Sequence, residues 1–166
     1  MTEARAGFLA RGGLWAVAQF ALMLAIIGLG IWCRGHWSQR WPVTLGWATL
    51  ALGLVIFVAG LAVLGRNLTP LPEPRPDAEF VQHGIYARVR HPLYTGVMAV
   101  SVGWALLWQS VPALLVALGL IPFFHAKTRS EERWLCARFP GYAAYLKRVP
   151  RFLPRLGPAP NLNCNF

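Results

Sequence analysis

The chain has 166 residues, 56% hydrophobic and 13% charged, with a formal net charge of +10. That length suits one domain, and the apolar residues come in blocks too long for the core of a soluble fold. The basic excess is accounted for by membrane topology and attraction to anionic lipid, so no nucleic-acid partner is expected.

In chain order, residues 12–33 form the first apolar block, with Gln19 its only strongly polar residue. Residues 43–65 form the second, with none. Both exceed the roughly 18 residues of a spanning helix. The first is too long for a signal-peptide core and lacks a cleavage site, so it is expected to stay. Residues 66–80 hold four prolines within seven positions, Pro70 to Pro76. That excludes a helix and predicts an extended loop.

A polar cassette follows, from Gly84 to Gly96, and then a third block. This block is too long for one span and short for two, with a turn signal at Gln109-Ser110-Val111-Pro112. It predicts a tight hairpin of two helices. The expected fold is therefore all-α: one domain over 1–156, a bundle of four transmembrane helices at about 12–33, 43–65, 93–109 and 111–127. A helical extension follows over 127–148, broken at Phe139-Pro140-Gly141. The basic segment 149–155 is expected along the headgroups, and 157–166 as a disordered tail.

Charge then orients the bundle. With four spans, 14 of the 16 Lys and Arg residues fall on the side of the termini and the cassette, and 2 on the other. The positive-inside rule makes the first side cytoplasmic. Trp32, Trp37, Trp41, Trp47 and Trp108 fall near the outer boundary, where indole rings favour the interface. Pairs of small residues, Thr49-x-x-x-Gly53 and Ala99-x-x-x-Gly103, allow close helix contact. Cys33, Cys136 and Cys164 form no CxxC pair and no zinc set. The histidine spacings match no common ligand pattern, so no metal is expected.

The chemistry lies in two clusters. Pro92 suits the first turn of a helix, whose free N–H groups favour a carboxylate or phosphate. Arg88 and Arg90 add positive charge, and His91 and Tyr94 share one face of that turn. Glu131 and Glu132, the only acids after Glu79, return along the hairpin to the same side. One wall then holds an anion and the other a cation, which fits an amino-acid zwitterion. Each piece also has a plainer reading: His91 as a cap, Tyr86 and Tyr94 as interface anchors, Glu131 and Glu132 paired to Lys127, Arg129 or Arg133.

Taken together, Gly84-x-Tyr86-x-x-x-Arg90-His91-Pro92-x-Tyr94-x-Gly96, Glu131-Glu132-x-x-Leu135, Phe139-Pro140-x-Tyr142-x-x-Tyr145 and Arg148-Val149-Pro150 resemble the isoprenylcysteine carboxyl methyltransferase superfamily. That superfamily includes phospholipid N-methyltransferases. The resemblance covers about residues 78–154. It implies a membrane methyltransferase using S-adenosylmethionine, with S-adenosylhomocysteine as product. Val81, Tyr86, Arg90, His91, Pro92, Leu93, Tyr94, Glu131 and Glu132 would bind the cofactor, with backbone contacts from 78–81. No catalytic residue is assigned, since methyl transfer needs no covalent nucleophile. In the prenylcysteine enzymes an arginine four residues before the first of these acids lies at the substrate; here that position is Lys127. Lysine keeps the charge but loses the bidentate clamp. The acceptor would be a membrane lipid or a lipidated or hydrophobic small molecule. A prenylcysteine-like carboxylate, a phospholipid amine and a small thiol or amine all remain open. The alternative is a non-enzymatic assembly or lipid-binding protein on the same scaffold. Oligomeric state is not readable.

Overall fold

The computed structural model describes residues 12–69, 71–74 and 77–154. The expected tail at 157–166, with Arg5, Arg11, Pro70, Arg75, Pro76, Arg155 and Cys164, lies outside the described residues. Five α-helices follow one another: α1 Gly13–Trp32, α2 Trp41–Leu64, α3 Pro92–Leu107, α4 Val111–Arg138 and α5 Tyr142–Arg148. Short 3₁₀ turns occupy Gly65–Asn67 and Gly84–Ala87. Among the described residues there is no strand.

Three helical stretches are long and apolar enough to cross a membrane: Gly13–Trp32, Trp41–Asn67 and Val111–Arg138. The expected third span corresponds to α3. At 16 residues it is about 24 Å long, shorter than a full hydrocarbon core. Proline stands in the first turn of α2, α3 and α4, at Pro42, Pro92 and Pro112, where its missing N–H is not needed.

The predicted hairpin forms. α3 ends where Gln109 takes a left-handed conformation, φ 54°, and Ser110 N–H returns to Ala105 O at 3.0 Å. The buried Ser110 hydroxyl accepts from Ala113 N and caps α4. It also donates to Leu29 O of α1 at 3.0 Å. One hydroxyl thus fastens the outer turn to the first helix.

α2 and α3 pack backbone to backbone. The contact is a ladder of glycines seven residues apart, Gly46 and Gly53 against Gly103 and Gly96, continued by Gly60 against the Pro92 and Leu93 side chains. A Cβ at Gly53 would sit 2.7 Å from Val100 N, and one at Gly103 would sit 2.6 Å from Leu50 N. A seven-residue interval is close to two turns, so these positions stay on one face. Gly53 and Gly103 belonged to the predicted four-residue pairs, but their repeating partners are other glycines. Thr49 turns its hydroxyl back to Leu45 O instead. With little hydrophobic drive between helices in lipid, such close approach supplies the packing energy.

The remaining core fills between α1, α3 and α4, around Ile26, Val97, Ala117, Leu120 and Phe124. Past the bilayer-length part of α4, a second core of Tyr142, Tyr145, Leu146 and Val149 gathers Phe80, Leu135 and Phe139. Residues 149–152 do not run free along a surface. Arg90 N–H donates to Pro150 O and His91 N–H to Arg151 O, and the Thr95 hydroxyl donates to Phe152 O. The segment is a strap over the start of α3, because it supplies carbonyls to donors the helix itself leaves unused.

The ladder makes a direct prediction. Gly53→Leu should lower the thermal unfolding midpoint in detergent, by a cost of about 1–3 kcal/mol for overpacking. Gly119→Leu, where a Cβ meets nothing within 4 Å, should leave the midpoint unchanged. Equal midpoints for the two variants would contradict the close-packed ladder.

Candidate active site

The cassette, the end of α4 and the strap meet around Glu132. Its side chain is fully buried and meets three side chains, two of them guanidinium cations. Arg90 Nε lies 3.1 Å and Nη2 3.0 Å from Oε1. His91 Nε2 lies 3.1 Å from the same oxygen. Arg151 donates Nε to Oε1 at 3.2 Å and Nη2 to Oε2. A buried carboxylate is costly unless its lone pairs are met by charge-assisted donors; here both oxygens are met.

Arg90 does a second job. Its Nη1 donates to Leu146 O at 2.8 Å and to Val149 O at 2.6 Å, the unpaired carbonyls that end α5. One guanidinium therefore ties α3, α4 and α5 together.

Glu131 points elsewhere. Adjacent residues on a helix diverge by about 100°, so while Glu132 faces the strap, Glu131 faces an open cavity. Tyr94 donates its hydroxyl to Glu131 Oε1. His91 Nδ1 lies 3.6 Å from Glu131 Oε2, so His91 stands between the two acids. Its ring stacks on Tyr94, centroids 5.8 Å apart at 15°. Tyr94 in turn stacks on Phe124 at 4.5 Å.

Of the residues expected at the cofactor, Val81, Tyr86, Arg90, His91, Leu93, Tyr94 and Glu131 line this cavity. Pro92 and Glu132 do not, nor does Lys127, the residue expected at the substrate. Pro92 starts α3 and packs towards Gly60 of α2. Glu132 is taken up by Arg90, His91 and Arg151. Lys127 lies behind Tyr94, its Nζ 4.9 Å from the ring centroid. The N–H groups of Arg90 and His91 go to the strap, so only the first-turn residues Leu93 and Tyr94 bring α3's positive end to the cavity.

Several lining residues were not singled out from the sequence. Phe80 stacks on Phe139 at 5.4 Å and 17°. It meets Tyr142 at 5.5 Å and Tyr145 edge-on at 5.4 Å. Leu135 and, from the proline-rich loop, Asn67, Leu71 and Pro72 complete the wall. Asn67 Oδ1 accepts from Glu79 N–H at 2.9 Å and draws the loop closed. The Phe139-Pro140-x-Tyr142-x-x-Tyr145 pattern was the available signal, since its three aromatics all reach the cavity. Burial pushes the phenols of Tyr86, Tyr142 and Tyr145 up from their ordinary value. They stay neutral donors, and Tyr145 uses its hydroxyl on Tyr86 O at 2.6 Å.

The cavity thus offers the Glu131 carboxylate, with Glu79 also in its lining, a helix start and a cluster of aromatic faces. This donor set fits an organic cation or zwitterion carrying a flat ring. Among the described residues no group of three or more His, Cys, Asp or Glu could hold a metal ion.

Residues 41–140 match the profile of the phospholipid methyltransferase family. The nickel-cobalt-cadmium resistance protein NccN of Alcaligenes xylosoxydans xylosoxydans is 31% identical over 150 residues, 88% of this chain and 65% of that protein. The chain thus spans a little under two thirds of that relative's length. Protein-S-isoprenylcysteine O-methyltransferase B of Arabidopsis thaliana is 30% identical over 144 residues, 84% of this chain and 73% of that protein. The solved structure of the eukaryotic intramembrane Ras methyltransferase ICMT superposes with a TM-score of 0.63. At 22% identity it covers 89% of this chain and 55% of that one, which establishes a shared fold.

The two acids should separate on mutation. Glu132→Gln leaves Arg90 and Arg151 without a buried counter-charge and should destabilise by about 3–5 kcal/mol, seen as a lower unfolding midpoint in detergent. Glu131→Gln, at the cavity wall, should shift the midpoint far less. Equal shifts would contradict the division of roles.

Proposed function

The chain belongs to the phospholipid methyltransferase family, and on that premise we propose that it transfers a methyl group from S-adenosylmethionine to a hydrophobic acceptor at the membrane. The observation that carries this reading is the Glu131 carboxylate set in the wall of an aromatic-lined cavity at the start of α3.

The residues present fit the cofactor. Glu131, oriented by the Tyr94 hydroxyl, would hold its ammonium. The first turn of α3 at Leu93 and Tyr94 would face its carboxylate. Phe80, Phe139 and Tyr142 offer faces for its purine ring. Tyr86 would border its sulfonium, where an aromatic face attracts a cation. When bound, it supplies a methyl carbon open to in-line displacement, the electron pair of the breaking carbon–sulfur bond returning to sulfur.

The protein's own part is alignment and the exclusion of water. Glu132 holds Arg90, His91 and Arg151 in one cluster, so cassette and strap form one rigid rim. The loop drawn in by Asn67 closes the opposite side. An anionic acceptor, a carboxylate or thiolate, gives up no proton. An amine acceptor would need a base, and His91, placed between two carboxylates, is the nearest candidate. Protein-S-isoprenylcysteine O-methyltransferases among the relatives favour the carboxylate. The distribution of Lys and Arg, 14 against 2, supports a cytoplasmic position for this face.

Purified wild-type protein should bind S-adenosylhomocysteine in calorimetry, and Glu131→Gln should weaken binding at least tenfold, about the value of one charge-assisted hydrogen bond. Labelled S-adenosylmethionine with total membrane extract should place label in a lipid or lipidated species. Absence of both binding and transfer would refute the reading.

A further inference from the structure

Four tyrosines line the cavity, Tyr86, Tyr94, Tyr142 and Tyr145. Tyr94 commits its hydroxyl to Glu131, and Tyr145 commits its own to Tyr86 O. The hydroxyls of Tyr86 and Tyr142 have no hydrogen-bond partner among the described residues. Tyr86 has a place beside the sulfonium in the reading above. Tyr142 lends the purine a ring face, and that leaves the hydroxyl at its edge without a task.

Such a hydroxyl is costly to leave alone. Tyr142 is 3% exposed, and a buried hydroxyl without a partner has lost its water for nothing. It is not sealed off either: among the described residues the fully enclosed side-chain N or O atom without a partner is Trp104 Nε1. Its remaining surface lies where Tyr142 forms the cavity wall. Burial, and after it the charge of Glu132, oppose its ionisation. The group is therefore a neutral phenol, which donates one hydrogen bond and can accept others.

Position says what this phenol meets. Its ring lies 5.5 Å from that of Phe80, which stacks on Phe139 at the aromatic end of the cavity. Glu131 and Tyr94 form the carboxylate end. Tyr142 is near enough to Glu131 and Glu132 for their charges to act on its proton, so it stands between the two ends. A nucleoside joined to an amino acid carries base, sugar and ammonium in that order. With the base against the aromatic end and the ammonium at Glu131, the sugar falls beside the edge of Tyr142.

We infer that the Tyr142 hydroxyl hydrogen-bonds a ribose hydroxyl of the bound cofactor, and so makes the site selective for a ribonucleoside. One side chain then reads two parts of the ligand, the base with its face and the sugar with its edge. This rests on the methyl-transfer reading and adds a specificity-determining group to it.

The test is calorimetry on the full chain in phosphatidylcholine nanodiscs, with S-adenosylhomocysteine and its 2′-deoxy and 3′-deoxy analogues. Wild type should bind at least one deoxy analogue about tenfold more weakly than S-adenosylhomocysteine, the value of one hydrogen bond. Tyr142→Phe keeps the ring face and removes only the hydroxyl. It should bind S-adenosylhomocysteine about tenfold more weakly than wild type, and that deoxy analogue no more weakly than S-adenosylhomocysteine. The preference is a ratio read within each protein, so a variant that is partly unfolded still answers. The inference is overturned if wild type binds both analogues as tightly as S-adenosylhomocysteine, or if Tyr142→Phe binds S-adenosylhomocysteine as wild type does. It is also overturned if Tyr142→Phe binds more weakly yet keeps the full wild-type preference, which would assign the sugar to another lining group such as Glu79. Failure of wild type to bind S-adenosylhomocysteine at all would sink the methyl-transfer reading, and this inference with it.

Discussion

Glu132 is the point on which the site end of the helical bundle turns. A carboxylate removed from water needs its charge met several times over, and this one draws in Arg90 from the cassette, His91 from the helix cap and Arg151 from the strap. Arg90 and His91 are neighbours in the chain, and Arg151 joins them from the distant strap. Because Arg90 also closes the carbonyl end of α5, the one ion cluster sets the distance between α3, α4 and the short final helix. The cavity is the space left once that distance is set.

Within the membrane a different force operates. α2 and α3 approach until glycine backbones touch, and van der Waals contact replaces the hydrophobic effect as the source of cohesion. The short α3 is thereby held against the longer α2, and its first turn is brought to the level of Glu131. The rigid pair supplies the wall, the charged cluster supplies the rim, and Tyr94 joins them through its contacts with Glu131, His91, Phe124 and Lys127.

What was legible from sequence follows from the range of each interaction. The helices, their proline starts and the hairpin turn at Gln109-Ser110 depend on neighbours within a few residues, and they were readable. So was the meeting of the cassette with the acid pair, because a hairpin of known rise returns the chain to one face. The split between Glu131 and Glu132 was not readable, since it depends on the rotation of α4 about its axis. The strap was hidden for a similar reason: its pairing is through backbone carbonyls, which carry no residue signature. The glycine ladder does not show in four-residue pairs of small residues, because antiparallel contact along the length of α3 recurs at seven. The aromatic wall stood in the motif, but Phe80 joins it from a loop whose course no periodicity describes.

On the proposed reading, Glu132 builds the site while its neighbour Glu131 binds the ligand in it. A high-resolution structure with S-adenosylhomocysteine bound tests this most directly. The account predicts the ligand ammonium within hydrogen-bond distance of Glu131, about 3 Å, its purine against Phe80 and Tyr142, and Glu132 still paired to Arg90, His91 and Arg151. A ligand held by Glu132 with that cluster broken, or one bound away from the aromatic wall, would contradict it.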